Sequence, residues 1–531
     1  MKKIFLSILF ICSFFNVIAQ EKNIVTSGHY KFADASQPWR LTQNAAGMSL
    51  DIEKLDSSAN RGIAYFNYSH KDGDYHRVQE GDMVNQLQFF TERYQQIGKY
   101  LYGYGSFDFN MGRTQKRAWS DVLRTYNSNP FISGSSVYGK YDHQNIDLKA
   151  KLSSVQLGHF TYGASLDYSV GDLSRLRDPR SRVNLVDYRI TPSITYSFDP
   201  DEKYKMKSAL GLALHYDRRK EKIPGLTTVQ TDPNLMYYVM TGLENATGTI
   251  GGYNGYMREY VNHEFGGEVS LSAYKGTDGK DKTILTYTFD RGKENVYGTN
   301  KYQPGVFVYS KWGMAAHQSE STEKSIFTAD ISYDYTRGYA DEYRQERITT
   351  IDEVTGYTSQ VWNTTFTYKK RYQMKTKNFS LHARRSQKKG NSVRSYVGYG
   401  YDRQSVTNKH LLNTSELRYK THRYYLEGGK LFGSHLWLEG MVARGGCHKA
   451  SKTTLTLADE TTAYATNVLL PDMNYYQAKI RFMGHLQAEY QHPITIKGQT
   501  NNWFARISGD YLKTNNKKEQ YQVGVSIGVY Y

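Results

Sequence analysis

Six residues of one short segment carry the chemistry that first stands out: between Tyr475 and Tyr490, Gln477, Lys479, Arg481, His485, Gln487 and Glu489 alternate with Ala478, Ile480, Phe482, Leu486, Ala488 and Tyr490. A period of two puts such sets on opposite faces of a half-buried strand. The next segment sets Arg506, Ser508 and Asp510 against Trp503, Ala505 and Ile507. Side by side the two would present Lys479, Arg481 and Arg506 as a basic stripe that favours anionic solutes. Ion pairing of these cations with Glu489, Asp510 or a facing Asp167, Asp330 or Asp334 is the structural alternative. A second basic group, Arg175, Arg177, Arg180 and Arg182, surrounds Asp178-Pro179, and Arg113, Lys116, Arg117, Arg218, Arg219 and Lys220 extend it. Guanidinium groups so clustered bind phosphate through charge-assisted contacts. A solvated loop surface, or an inward-folded constriction at 178–182, would account for the same residues.

Enzyme chemistry finds little support. No Gly-x-Ser-x-Gly elbow, no His-Glu-x-x-His zinc pair and no phosphate-cradling Gly-rich loop followed by a helix is read from the chain. Asn262-His-Glu264 and Cys447-His448 lack the spacing of a metal or nucleophile site. The expectation is no catalytic residue, no metal and no cofactor.

The elements that must carry these residues are strands. The chain ends with apolar or aromatic Tyr521, Val523, Val525, Ile527, Val529 and Tyr531 alternating with Gln522, Gly524, Ser526 and Gly528. Residues 101–111, 160–170, 190–198 and 327–336 repeat the pattern. Strand starts near 62, 84, 99, 143, 160, 186, 203, 263, 282, 304, 324, 372, 392, 412, 433, 474, 501 and 521 leave tight links at 97–98, 158–159, 199–201, 319–323, 387–390 and 432–433. Long links fall at 113–142, 218–262, 292–303 and 450–472. Outer-membrane barrels alternate short periplasmic turns with long extracellular loops in this way. The fold class expected is therefore all-β, a transmembrane antiparallel up-and-down β-barrel of about 18 strands, with 14 to 18 as the range. Lumen-lining candidates are Gln477, Lys479, Arg481, His485, Gln487, Glu489 and Arg506. Val525, Ile527, Val529 and Tyr531 read as the signal to the barrel-assembly machinery.

Composition agrees. The 48 Tyr and 14% aromatics fit interfacial girdles, while a mean hydropathy of -0.67 is what lumen-facing polar residues produce. Met1-Lys-Lys3, an apolar run from Ile4 to Ile18 and Ala19 before Gln20 read as a cleaved signal peptide over residues 1–19. Beyond it no apolar run reaches the roughly 18 residues of a membrane-spanning helix. Cys447 then remains alone, without a disulfide partner. Residues 20–60 precede the first strand and read as a periplasmic extension or a small plug; residues 61–531 form the barrel. In an exported barrel the net charge of +17 meets outer-membrane lipid and lipopolysaccharide rather than nucleic acid.

The Ala19-Gln20 signal end, Asn44-Ala-Ala-Gly47, the Gly171-Asp-Leu-Ser-Arg-Leu-Arg-Asp-Pro-Arg-Ser-Arg182 loop and the aromatic terminus resemble the Bacteroidota-type outer-membrane β-barrel proteins of a domain-of-unknown-function family. The resemblance implies location and fold and no particular solute. Asn44-Ala-Ala-Gly47 also resembles the Asn-Pro-Ala plug segment of long-chain fatty-acid channels, with Ala in place of the proline. TonB-dependent receptors resemble the chain less, since they carry a folded plug domain ahead of 22 strands. The expected function is a TonB-independent channel or transporter for small anionic or amphipathic solutes. The alternative is a scaffold whose loops, including Pro233-Asn-Leu-Met-Tyr-Tyr-Val-Met240, hold a surface lipoprotein or secretion component; an outer-membrane enzyme comes last.

Overall fold

Alternation becomes strand along most of the chain because each strand can place its apolar set outward and its polar set inward only if the sheet closes on itself. A computed structural model describes residues 25–52, 60–126, 128–199, 206–229, 236–244, 246–250, 256–275, 280–351, 354, 356–390, 392–447, 453–456, 464–496 and 499–531. The signal-peptide reading of residues 1–19 lies outside them. Eighteen antiparallel strands form the wall: Arg61–Gly73, Met83–Ile97, Leu101–Arg117, Gly139–Ser154, Phe160–Arg175, Arg180–Ser197, Met206–Ile223, Arg258–Lys275, Asp281–Gly298, Gly305–Ser321, Ser325–Ile351, Thr358–Lys389, Ser392–His410, Glu416–Phe432, Leu436–Cys447, Lys479–Ile496, Gln499–Thr514 and Glu519–Tyr530. Each pairs with its chain neighbours. The last strand pairs with the first, from Ile63 opposite Tyr530 to Gly73 opposite Gln520, and Tyr531 exchanges both backbone hydrogen bonds with Gly62.

Closure satisfies every edge, the condition for a sheet in lipid. In the last strand Tyr521, Val523, Val525 and Ile527 are exposed outward while Gly524, Ser526, Gly528 and Tyr530 are buried inward. Val529 and Tyr531 are half-buried at its end. Phe66, Leu214, Phe265, Leu486 and Ile507 continue the apolar girdle around the wall. Leu486 is 73% exposed near the middle of its strand. Leu486→Arg is therefore expected to destabilise the barrel by about 2–4 kcal/mol, read from urea unfolding in liposomes.

Two strands differ from expectation. Ser325–Ile351 and Thr358–Lys389 run 27 and 32 residues, and beyond Tyr343 they pair only with each other. At about 3.4 Å per residue this hairpin projects roughly 30 Å past its neighbours. The segment Tyr475–Gln477 is not strand: Leu470–Gln477 is a helix, and strand begins at Lys479.

Candidate functional site

Both mouths of the barrel are occupied by the chain itself. At the short-turn end, residues 25–52 form one helical turn, Ser27–Lys31, capped by the Thr26 hydroxyl, and three 3-10 turns, Ala33–Ala35, Pro38–Leu41 and Ala45–Asp51. Their partners come from all round the wall. Thr26 Oγ1 meets Ser392 Oγ at 2.8 Å, Lys31 Nζ meets Glu439 Oε1 at 2.8 Å, and the Gln43 N–H donates to Glu268 at 3.1 Å. The Asn44 amide donates to the Ile194 carbonyl at 3.2 Å, the Ala46 N–H to Ser193 Oγ at 3.1 Å and Ser319 Oγ to the Ala35 carbonyl at 2.7 Å. Tyr30 donates to Glu92, and Lys282 to the Ser36 carbonyl.

The segment also packs. Trp39 is fully buried; a Cβ on Gly47 would lie 2.1 Å from its ring, and one on Gly211 of the wall 2.9 Å. A Cβ on Gly163 would lie 2.3 Å from Ala46 N. Glycines in segment and wall thus make room for each other, which accounts physically for Gly47 in Asn44-Ala-Ala-Gly47. Asp51 ties the fold of the segment together by accepting the Trp39 N–H at 2.8 Å and the Tyr274 hydroxyl. Burial pushes its carboxyl up to about 6, against the opposing pull of Lys282.

At the long-loop end the connections fold inward. Phe131–Ser135, Met236–Thr241 and Thr247–Ile250 form a small sheet over the lumen. Trp119, Phe131, Met240 and Leu243 pack there on inward-facing Tyr260, Phe307, Tyr309, Tyr372 and Met374. Arg124 and Asn129 bind Glu294 at 2.6 and 2.8 Å, and the Leu123 N–H donates to Glu221 at 2.8 Å. The aromatic stretch read as a partner-binding loop turns the same way: Tyr237 and Met240 are fully buried, because the lumen mouth offers them more apolar contact than solvent does. Residues 233–235 lie outside the described residues.

Beside this cap the helix Leu470–Gln477 is gripped by ring stacks, Tyr75 on Tyr475 at 4.5 Å and Tyr419 on Tyr476 at 3.9 Å between centroids. Arg77 lies 3.4 Å over the Tyr126 ring and donates to the Tyr476 hydroxyl at 2.7 Å. A recess of about 730 Å³, part of it open to solvent, opens between helix and cap. Tyr126, Tyr372, Tyr464, Tyr476, Leu243, Leu417, Val468, Leu469 and Met473 line it with Asp472 and Asn408. Asp472 Oδ1, Asn408 Oδ1 and the Tyr126 hydroxyl are buried there and have no hydrogen-bond partner among the described residues. Burial pushes the Asp472 carboxyl up to about 7; Arg77 opposes and Glu80 adds to the rise.

The wall between the two closures is a lattice of paired charges. Arg506 binds Glu489 at 2.7 Å, and Glu489 also accepts the Tyr530 hydroxyl at 3.2 Å. His485 meets Asp510 at 2.8 Å, and the Gln487 amide donates to Glu439 at 2.7 Å. Arg189 reaches Glu264 at 3.0 Å and Lys311 reaches the other oxygen of Glu264 at 2.7 Å. Two of the three cations of the expected basic stripe stand elsewhere. A register shift at 480–482 leaves Lys479 and Arg481 exposed at the outer end of their strand, and Gln477 closes the preceding helix. Arg506 is spent on Glu489. Arg506→Ala is expected to cost about 3–5 kcal/mol of stability by stranding a buried carboxylate, measured by thermal or urea unfolding, rather than to alter ion selectivity.

The arginine loop is likewise committed. Arg175 is buried and donates to the Tyr141 hydroxyl at 2.7 Å and to the Val137 carbonyl at 2.6 Å, so it cannot reach a lipid phosphate. Arg177 donates to the Tyr138 carbonyl, Arg180 pairs with Asp178 and Arg182 with Asp172. These last three remain exposed.

The model of one sequence family matches residues 45–531, from the second half of the inner segment to the terminal strand. The chain belongs to DUF6850, a family of unknown function. No functionally curated protein shows detectable similarity to it. Among solved structures it is similar to the FrpB iron transporter from Neisseria meningitidis, at 9% identity and a TM-score of 0.37 over 92% of this chain and 83% of that one. It is similar also to BauA, the ferric preacinetobactin receptor from Acinetobacter baumannii, at 9% identity and 0.38 over 88% and 80%. A TodX monoaromatic hydrocarbon channel variant aligns at 10% identity and 0.32 over 92% of both chains.

What this DUF6850 chain hid from sequence reading is its closures. The inner segment has no periodic pattern, and the outer recess gathers side chains from stretches as far apart in the chain as Tyr126, Leu243, Tyr372 and Tyr476. One motif departs from the sequence reading: Gly524-Val-Ser526-Ile-Gly528 has the Gly-x-Ser-x-Gly spacing, but it lies within a strand and not on a strand-to-helix turn, and Ser526 Oγ meets Asn67 at 2.9 Å.

Proposed function

We propose that the protein is a gated, TonB-independent outer-membrane transporter for a small amphipathic solute, taken up at the outer recess and released through a lumen closed at rest. The observation that carries the reading is the recess itself: tyrosine rings and aliphatic side chains surround three buried polar atoms that have no hydrogen-bond partner among the described residues. Such a lining suits an apolar body bearing hydrogen-bond donors. It suits an anion less well, since the cations at membrane depth named above are already paired. TonB independence is supported by the slightness of residues 25–52, short turns rather than a globular domain. A cleaved signal peptide, an outer-membrane location and an origin in Bacteroidota belong to the same reading. The experiment is uptake into proteoliposomes of a panel of small aromatic amines and alcohols, against Tyr372→Ala and Leu469→Ala. Uptake that the variants reduce supports the reading; uptake no greater than in protein-free vesicles across the panel overturns it.

The scaffold reading keeps one observation of its own. The projecting hairpin exposes Ile351, Val361 and Phe366, apolar residues that a surface lipoprotein would cover. Excising 344–367 without effect on transport, while a co-purifying lipoprotein is lost, would favour it.

A further inference from the structure

At mid-wall, His215, Gly266 and Asp290 occupy one row across three adjacent strands: Gly266 is the cross-strand partner of both. With no side chain between them, the imidazole and the carboxylate lean together over the glycine. His215 Nε2 lies 3.2 Å from Asp290 Oδ1 and 3.9 Å from Glu264 Oε1, on the same inward face two residues along from Gly266. One ligand atom from each of the three lies within 4.8 Å of the others.

The bonding of this cluster is incomplete. The His215 side chain has no exposure at all; its Nε2 is within ion-pair distance of Asp290 Oδ1, yet among the described residues neither ring nitrogen nor Asp290 Oδ1 has a hydrogen-bond partner. A buried imidazole with both nitrogens unsatisfied is costly and calls for an explanation. Nearby cations do not supply it. Lys311 stands opposite Asp290 in the ladder, but its ammonium goes to Glu264, as does Arg189. Only glycine lets the two side chains close in at this point, since a Cβ on residue 266 would lie 2.2 Å from Asp290 Oδ1 and 2.7 Å from His215 Nε2.

We propose that His215, Glu264 and Asp290 form a binding site for a borderline first-row divalent cation of the Zn²⁺ class in the wall of the lumen. One imidazole and two carboxylates are the ligand set such ions accept, and the imidazole disfavours Ca²⁺ and Mg²⁺. A dication would bring Asp290 and the Nε2 lone pair onto one centre and would share Glu264 with Arg189 and Lys311. No His-x-x-x-His or similar spacing announced this site, because its ligands come from three strands, each contributing one residue.

The test is Zn²⁺ and Co²⁺ titration of chelator-stripped, detergent-purified full-length protein by calorimetry, with Co²⁺ absorption reporting the ligand field. One ion per chain is expected, weakened more than about tenfold in His215→Ala and in Asp290→Asn. Gly266→Ala keeps all three ligands but its methyl pushes Asp290 and His215 apart, so it too is expected to lose the ion. Lys311→Met frees one oxygen of Glu264 and is expected to bind more tightly. Heat-modifiable mobility on gels verifies that each variant is a folded barrel. Absence of stoichiometric binding to folded wild type, or binding that His215→Ala and Gly266→Ala leave unchanged, overturns the proposal.

Discussion

A barrel lacking residues 25–52 is expected to conduct ions steadily in a planar bilayer in which the intact protein is silent. The wall has 18 strands, a number that leaves an aqueous channel unless something fills it. At the inner mouth the filling is this segment, fixed through Thr26, Lys31, Gln43, Asn44, Ala46 and the buried Trp39. Its contacts, hydrogen bonds and small apolar clusters around Phe32, Trp39 and Met48, are spread round the rim and involve no strand pairing, so it can release without dismantling the wall. Trp39→Ala gives a graded version of the same result. Truncating a buried Trp costs about 3–5 kcal/mol, enough to lower the docked-to-free ratio roughly a hundredfold or more. Flickering openings are therefore expected from Trp39→Ala, and stable ones from the deletion. A deletion variant that inserts, shows heat-modifiable mobility and stays silent would mean that the outer cap alone holds the lumen shut.

The wall was legible in the chain because a two-residue period survives any substitution that keeps one face apolar. Strand starts read near 160, 282, 304, 324, 392 and 501 fall within two residues of those observed, and the tight links read at 97–98, 158–159, 387–390 and 432–433 each carry a positive-φ glycine that interrupts the alternation. Legibility failed where period two carries no information. The hairpin beyond Tyr343 leaves the membrane, so both of its faces are wet and its alternation fades. Tyr475–Gln477, the last turn of the helix, reads as strand because Gln477, Lys479 and Arg481 continue an alternating polar set by accident of composition. Arg175 shows the limit for sites. Its type and spacing match those of its exposed neighbours, and only the fold reveals that Tyr141 and Val137 claim it. The row of His215, Gly266 and Asp290 depends on register across three strands, which local sequence does not encode.

Raising the pH from 5 to 8 is expected to loosen both closures. Asp51 in the inner segment and Asp472 in the outer helix are buried carboxyls whose values rise to about 6 and about 7. An undocked segment returns each to water and to an ordinary carboxyl near 3.8. The docked state therefore holds its proton more tightly than the free state, and docking is favoured at low pH. That stabilisation is complete below pH 3.8 and is lost as pH climbs through about 6 for Asp51 and about 7 for Asp472. Each unit of rise is worth about 1.4 kcal/mol, so a two- to three-unit difference is comparable with what the buried Trp39 contributes and can move a closure. The measurement is single-channel activity at pH 5 and 8, with protease cleavage of the inner segment as a second readout. Wild type should open more often and be cut faster at pH 8. Asp51→Asn and Asp472→Asn, which cannot ionise, should remove the dependence at the inner and outer end respectively. Activity that falls as pH rises would show that these carboxylates are needed charged to hold the closures, reversing the sign argued from their burial.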